Sequence, residues 1–155
     1  MTTHGGLTVA VELAERKRDE AGQALAQMRR RHDSAAQQME QLESYAVDTQ
    51  GRWSVAAQAR TTPQIVGHYY QFMARLEQTI ALQQGVMADV QRQCQVARQV
   101  LLDCEVYLAG LQRVLKKRRL EQDRSAARQE QRQTDEFAAR ARPVASALAA
   151  HQDTP

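Results

Sequence analysis

The side chains most often used for metal binding and nucleophilic chemistry are few in this sequence. It contains four histidines and two cysteines, namely His4, His32, His68, His151, Cys94 and Cys104. No pair among them has the short spacing of a zinc site. The sequence also lacks a phosphate-binding glycine loop and a nucleophile motif. We therefore expect no enzymatic activity, no bound metal and no cofactor.

The cysteines and His32 have simpler structural interpretations. Cys94 and Cys104 lie ten residues apart on one predicted helix, which separates them by about 15 Å at the helical rise. This is too far for a disulfide, so we expect small apolar fillers in a reducing compartment. His32 falls in the first apolar seam, where a lone histidine more often specifies register than performs chemistry.

Charge is concentrated near the end of the chain, in residues 116–142. This segment has nine basic residues: Lys116, Lys117, Arg118, Arg119, Arg124, Arg128, Arg132, Arg140 and Arg142. Its five acidic residues leave a net charge of +4, against +3 for the whole chain. The segment is either a solvated helix that frays alone or a helix that binds an acidic or polar partner surface. Phe137, its single aromatic residue, favours a partner, whereas the interleaved acids disfavour nucleic acid.

A third group of residues is apolar and aromatic, in the stretch HYYQFMARLEQTI at residues 68–80. Its apolar surface is wider than the single stripe that one neighbouring helix can cover. We therefore expect Tyr70 and Phe72 to be partly exposed, beside a flank of Phe72 and Leu76 that forms an interaction site. The alternative is a thicker core that includes a third helix from a second molecule.

The overall composition indicates long helices that would position these groups. Aromatics are 5% of the 155 residues, the mean hydropathy is −0.62, and there are only seven glycines and three prolines. Such a bias toward helix-forming residues is typical of coiled coils. No apolar run approaches the roughly 18 residues of a membrane span, and no signal-peptide pattern opens the chain. We expect a cytoplasmic protein.

Two apolar seams follow alternating steps of four and three residues, which is the repeat of a left-handed coiled coil. The first has eleven apolar residues in fourteen: Leu7, Val11, Ala14, Arg18, Ala21, Leu25, Met28, His32, Ala35, Met39, Leu42, Ala46, Thr49 and Trp53. The second has thirteen: Tyr69, Met73, Leu76, Ile80, Gln83, Met87, Val90, Cys94, Ala97, Leu101, Cys104, Leu108, Leu111 and Leu115.

A break at Thr62-Pro63 separates the seams. Helical conformation is disfavoured for the residue before a proline, whereas proline itself suits the first position of a helix. Folding the chain at residue 61 places Trp53 beside Tyr69. We predict an all-α fold, an antiparallel two-helix coiled-coil hairpin whose second helix extends beyond the first and ends at Pro143. The segments are a first helix at 1–57, a turn at 58–64, a paired second helix at 65–115, an unpaired extension at 116–142 and a flexible tail at 143–155.

Several segments resemble the FliJ family of flagellar type III export proteins. HYYQFMARLEQTI resembles the family's segment after the hairpin turn, and residues 1–42 resemble its N-terminal helix. TDEFAARA at residues 134–141 is similar to its C-terminal Asp-Glu-Phe-Ala segment. The aromatic cluster and Asp135-Glu136-Phe137-Ala138 make the resemblance specific, because heptads alone are shared by unrelated coiled coils.

The resemblance implies a non-enzymatic stalk of the export apparatus that serves motility and chemotaxis. FliJ proteins insert into the ring of the hexameric export ATPase and promote its assembly and turnover. They also contact the membrane export gate and associate with export chaperones. This implies a chain that is monomeric alone, binds no nucleic acid, and is cytoplasmic but peripheral to the inner face of the cell membrane at the flagellar base.

The resemblance also suggests which residues make these contacts. Positions matching the family's gate-binding patch are Gln38, Leu42, Tyr45, Phe72 and Leu76. The sequence departs from the expected pattern at the patch edge, where it has Thr49 and Gln83. For the ATPase ring we expect Lys117, Arg124, Arg128, Arg132 and Phe137 to make contact.

Two other interpretations remain open on the sequence. One is the equivalent stalk protein of a virulence injectisome. The other is a coiled-coil dimer that acts as a scaffold or associates with nucleic acid.

Overall fold

The protein consists of two long helices joined by a short connection. A computed structural model describes residues 2–150, except for the side chains of residues 2–4, 143 and 145. Helix α1 spans Thr2–Ala56 and helix α2 spans Pro63–Ala150, and no strand occurs among the residues described. The predicted all-α fold of two long helices is confirmed. Two compact units are present: the hairpin unit, Leu13–Leu108, and the terminal unit, Met1–Glu12 with Ala109–Pro155.

The connection between the helices follows local backbone chemistry. Thr62 precedes the first residue of α2, and its side-chain oxygen accepts a hydrogen bond from the backbone N–H of Ile65 at 3.4 Å. Proline suits the first helical position, where its missing N–H costs nothing. At the end of α1, the backbone N–H of Ala57 donates to the Trp53 carbonyl at 2.8 Å and closes the last turn. The helix therefore starts at Pro63, inside the segment that was predicted as the turn at 58–64.

The core of the hairpin unit is thin and is built from the two predicted seams. Its buried side chains are Ala14, Ala21, Leu25, Ala35, Met39, Leu76 and Leu108. The remaining seam positions in this unit are partly buried. Each helix covers only one stripe of the other helix. Among the described residues, no side chain is therefore enclosed on all sides. The stacked rings of Trp53 and Tyr69 show the antiparallel pairing near the turn.

The terminal unit has few buried positions. Val11 and Leu115 are buried, and Leu7 and Leu111 are half-buried, which agrees with the predicted seams. Every residue from 116 to 142 is exposed. Helix α2 has 88 residues against 55 for α1, so the second helix is the longer one, as expected.

The second helix does not end at Pro143. It continues to Ala150, so the predicted end is wrong. An internal proline removes one backbone hydrogen bond and costs about 3 kcal/mol relative to alanine. The flanking sequence AARARPVASALAA is rich in alanine, the strongest helix former, which favours helix on both sides. The flexible tail was predicted for 143–155, of which 151–155 lie outside the described residues.

Two further classes of site are not found in the described part of the chain. Residues 2–150 include no helix with an apolar stretch long enough to cross a membrane. They also include no cluster of three or more histidine, cysteine or acidic side chains placed to hold a metal ion. Cys94 and Cys104 are free and partly buried.

Candidate protein-binding surfaces

The hairpin unit presents an aromatic pair that joins its two helices near the turn. The rings of Tyr45 on α1 and Phe72 on α2 meet edge to face, with centroids 5.9 Å apart and planes at 81°. Tyr45 nevertheless remains 54% exposed and Phe72 39% exposed. Such an edge-to-face pair is favourable beyond its buried area. The contact thus orients two large side chains toward solvent on one flank of the hairpin.

The surface around this pair includes most of the predicted gate-contact residues. We define the aromatic patch as Gln38, Leu42, Tyr45 and Phe72. A shallow groove of about 500 Å³ is lined by Gln38, Gln41, Leu42, Tyr45 and Gln83. The groove combines one tyrosine ring and a leucine with three amides, a mixture suited to binding another protein. The fold therefore brings four of the five predicted residues to one flank.

Leu76 does not belong to the exposed surface. It is only 7% exposed, because it occupies a seam position that α1 covers. The predicted flank of Phe72 and Leu76 is therefore corrected to Phe72 alone. Any effect of Leu76 on binding would act through the packing of the hairpin rather than through direct contact.

Gln83 connects the helices beside the aromatic patch. Its Nε2 donates to the Ala35 carbonyl at 2.9 Å and to the Gln38 Oε1 at 3.2 Å. A lone polar residue that is hydrogen-bonded across a coiled-coil seam specifies the register of the two helices. The link also holds the Gln38 side chain at the rim of the groove.

The role of Gln83 was not predicted, although a signal for it was present. Gln83 is the single polar residue of the second seam. His32 was expected to be the register residue instead, but its only ion-pair contact within the described chain is with the neighbouring Asp33, at 3.8 Å between Nδ1 and Oδ1. A polar seam residue with a flexible amide reaches a facing backbone carbonyl, which explains why Gln83 makes the interhelical bond.

The second candidate surface is the basic segment, residues 116–142 of α2 in the terminal unit. The predicted ring-contact residues Lys117, Arg124, Arg128, Arg132 and Phe137 all lie here and are exposed. The Phe137 ring is 79% exposed. The Nε of Arg128 donates to the Arg124 carbonyl at 3.2 Å, while the Arg132 side chain has no ion pair in the described part of the chain. The segment therefore presents positive charge and one aromatic ring to solvent.

Comparison with known proteins decides the family. The sequence matches a protein family described as flagellar FliJ protein over residues 4–142. The match covers most of both helices, the aromatic patch and the basic segment. This chain belongs to the FliJ family. Searches among curated proteins and among solved structures found no match.

Membership of the FliJ family gives the chain a general role. It is a flagellar export-associated protein, and the family is a non-catalytic component of that apparatus. The two-helix coiled coil described above agrees with the coiled-coil hairpin of the family. Between the flagellar and injectisome interpretations, the family match favours the flagellar one.

Proposed function

We propose that this FliJ-family protein is a stalk that links the flagellar export ATPase to the membrane export gate. In this proposal the basic segment enters the ring of the hexameric ATPase and promotes its assembly and turnover. The aromatic patch contacts the export gate, and export chaperones associate with the same molecule. The protein acts in the cytoplasm, at the inner face of the membrane at the flagellar base.

The main support for a contact with the ATPase ring is that the basic segment is exposed on all sides. A helix that lacks a tertiary partner gains little stability from packing, since most helical stability in proteins comes from a buried face. Its net charge of +4 favours an acidic or polar partner surface through electrostatic complementarity. Phe137 supplies the kind of exposed aromatic anchor that dominates binding energy at protein interfaces.

Phe137 offers a direct test of the ring contact. The Phe137→Ala variant should bind the cognate export ATPase at least about tenfold more weakly, because aromatic hot spots contribute about 2 kcal/mol or more. Leu120→Ala is the matched control, since Leu120 is also an exposed apolar residue of the basic segment but is not assigned to the contact. Affinities would be measured by calorimetry. Equal losses in the two variants would contradict a contact centred on Phe137.

The gate contact is supported by the Tyr45 and Phe72 pair, whose rings are ordered by one another and yet exposed. Fixing an aromatic side chain before binding reduces the entropy lost on association. Phe72→Ala should therefore weaken binding to the cytoplasmic domain of the export gate by about tenfold or more. Tyr70→Ala is the control, because Tyr70 is an exposed ring on the opposite flank of the same helix.

The alternative to this proposal is that the protein is a coiled-coil dimer that acts as a scaffold. The stalk requires a monomer, whereas a scaffold would sediment as a dimer and bind neither the ATPase nor the gate. Sedimentation of the purified chain separates the two.

A further inference from the structure

A second apolar stripe runs along α2 in the hairpin unit, outside the aromatic patch. We define the outer stripe as Val86, Val100 and Tyr107, which are 46%, 48% and 61% exposed. They share a heptad position with Phe72, since 72, 79, 86, 93, 100 and 107 are seven residues apart. The stripe from Val86 to Tyr107 is about 30 Å long at the helical rise. The hairpin therefore leaves an apolar line beside its seam that α1 does not cover.

The facing positions of α1 follow from the contact between Tyr45 and Phe72. Moving along both helices in steps of seven residues pairs Arg31 with Val86, Ala24 with Gln93 and Lys17 with Val100. Lys17, Arg31 and Ala24 are exposed. In the described part of the chain neither Lys17 nor Arg31 makes an ion pair. This flank thus combines apolar side chains on α2 with unpaired positive charge on α1.

The opposite flank of the hairpin unit has a different character. Its equivalent heptad positions carry Glu15, Arg29, Glu43, Glu77, Arg98 and Glu105. These give four acids and two bases, whereas the equivalent positions on the flank of the outer stripe carry Lys17, Arg31 and Arg52 and no acid. The two flanks therefore differ both in apolar content and in the sign of their charge.

We propose that the outer stripe binds an amphipathic helix of a partner protein whose apolar face is bordered by acidic residues. A third helix would pack its own apolar stripe against Val86, Val100 and Tyr107, in the manner of helix-in-groove recognition. Carboxylates along its border would face Lys17 and Arg31, which excludes a helix bordered by basic residues. A second copy of the chain in a symmetric pairing would oppose two basic flanks. This inference goes beyond the proposed function and does not depend on it.

The test uses two synthetic helical peptides of about four heptads. Both have leucine at the two apolar heptad positions, and their flanking positions are all glutamate in one and all lysine in the other. Each peptide is fluorescently labelled and used at a concentration where sedimentation shows a monomer. Binding to the full chain is followed by fluorescence anisotropy. We expect the glutamate peptide to bind at least about tenfold more tightly than the lysine peptide.

Variants locate the binding surface. Val86→Asp with Val100→Asp should weaken binding of the glutamate peptide at least about tenfold, because each places a carboxylate in the apolar contact. Val106→Asp is the matched control, an exposed valine of the same unit that lies outside the stripe. Lys17→Glu with Arg31→Glu should reverse the preference between the two peptides. Thermal melting by circular dichroism checks that each variant retains the hairpin.

Three results would overturn the inference. The first is equal binding of the two peptides, and the second is an equal loss in the Val106→Asp control. The third is a dimer of the unliganded chain that Val86→Asp with Val100→Asp dissociates, which would make a second copy the occupant. Phe72→Ala should retain peptide binding, so a failed gate contact and a failed outer stripe remain distinguishable.

Discussion

The indole of Trp53 stacks on the ring of Tyr69 with centroids 4.2 Å apart and planes within 7° of parallel. These two residues belong to the ends of the two helices that meet at the turn, so their contact closes the hairpin. Tyr70 adds an edge contact to Tyr69 at 5.6 Å but remains largely exposed. The stack therefore fixes the antiparallel pairing next to the aromatic patch.

Trp53→Ala should lower the free energy of unfolding by about 2–3 kcal/mol, since it removes apolar burial and the stacking of the ring pair. A double-mutant cycle with Tyr69→Ala isolates the pair, for which we expect a coupling of about 0.5–1.5 kcal/mol. Urea denaturation provides the measurement. Tyr70→Ala should change stability by less than about 0.5 kcal/mol, as expected for an exposed residue. No measurable coupling would show that the stack does not contribute to the pairing.

Gln83→Leu should raise stability by about 1 kcal/mol while loosening the register of the helices. A partly buried polar residue in a coiled-coil seam, such as Gln83, specifies alignment at a cost in stability, and leucine removes both effects. The melting temperature reports stability, and crosslinking of cysteines introduced at positions 31 and 86, which the register pairs, reports alignment. Gln84→Leu is the control at the neighbouring exposed position. A less stable Gln83→Leu variant with unchanged crosslinking would contradict this interpretation.

Leu76→Ala and Phe72→Ala should separate packing from binding. Leu76 is buried in the seam, so its truncation should cost about 2–3 kcal/mol of stability. Phe72 is more exposed, and its truncation should cost about 1 kcal/mol or less while weakening binding to the export gate. Urea denaturation and calorimetry with the gate domain measure the two quantities. If the Leu76→Ala variant kept full stability but bound the gate more weakly, Leu76 would have to contact the gate directly.

Much of this architecture could be predicted because coiled-coil periodicity encodes which face is buried. The side chains of both seams lie where steps of four and three place them, from Leu7 to Trp53 and from Tyr69 to Leu115. The pairing of Trp53 with Tyr69 followed from the position of the turn alone. The family resemblance rested on short segments of unusual composition, and the family match confirmed it.

Other features depend on three-dimensional coverage and could not be predicted from periodicity. Leu76 was expected both in the second seam and in the exposed flank with Phe72, and the position of α1 shows that the seam assignment holds. The outer stripe was not predicted because its members are seven or more residues apart and Gln93 interrupts them at the same heptad position. The predicted helix end at Pro143 is wrong because the alanines on both sides favour helix strongly enough to offset the cost of one proline. The proposed contacts with the gate and the ring remain predictions.

The proposed stalk predicts a specific dependence of the export ATPase on the basic segment. The most direct measurement is ATP hydrolysis by the cognate flagellar export ATPase, titrated with the full chain and with a chain that ends at Leu115. Leu115 is the last buried residue described in α2, so the shorter chain keeps both seams, and circular dichroism verifies its helicity. We expect the full chain to raise turnover and the shorter chain to leave it unchanged. Equal turnover with both chains, whether raised or not, would contradict the assignment of the ring contact to residues 116–142.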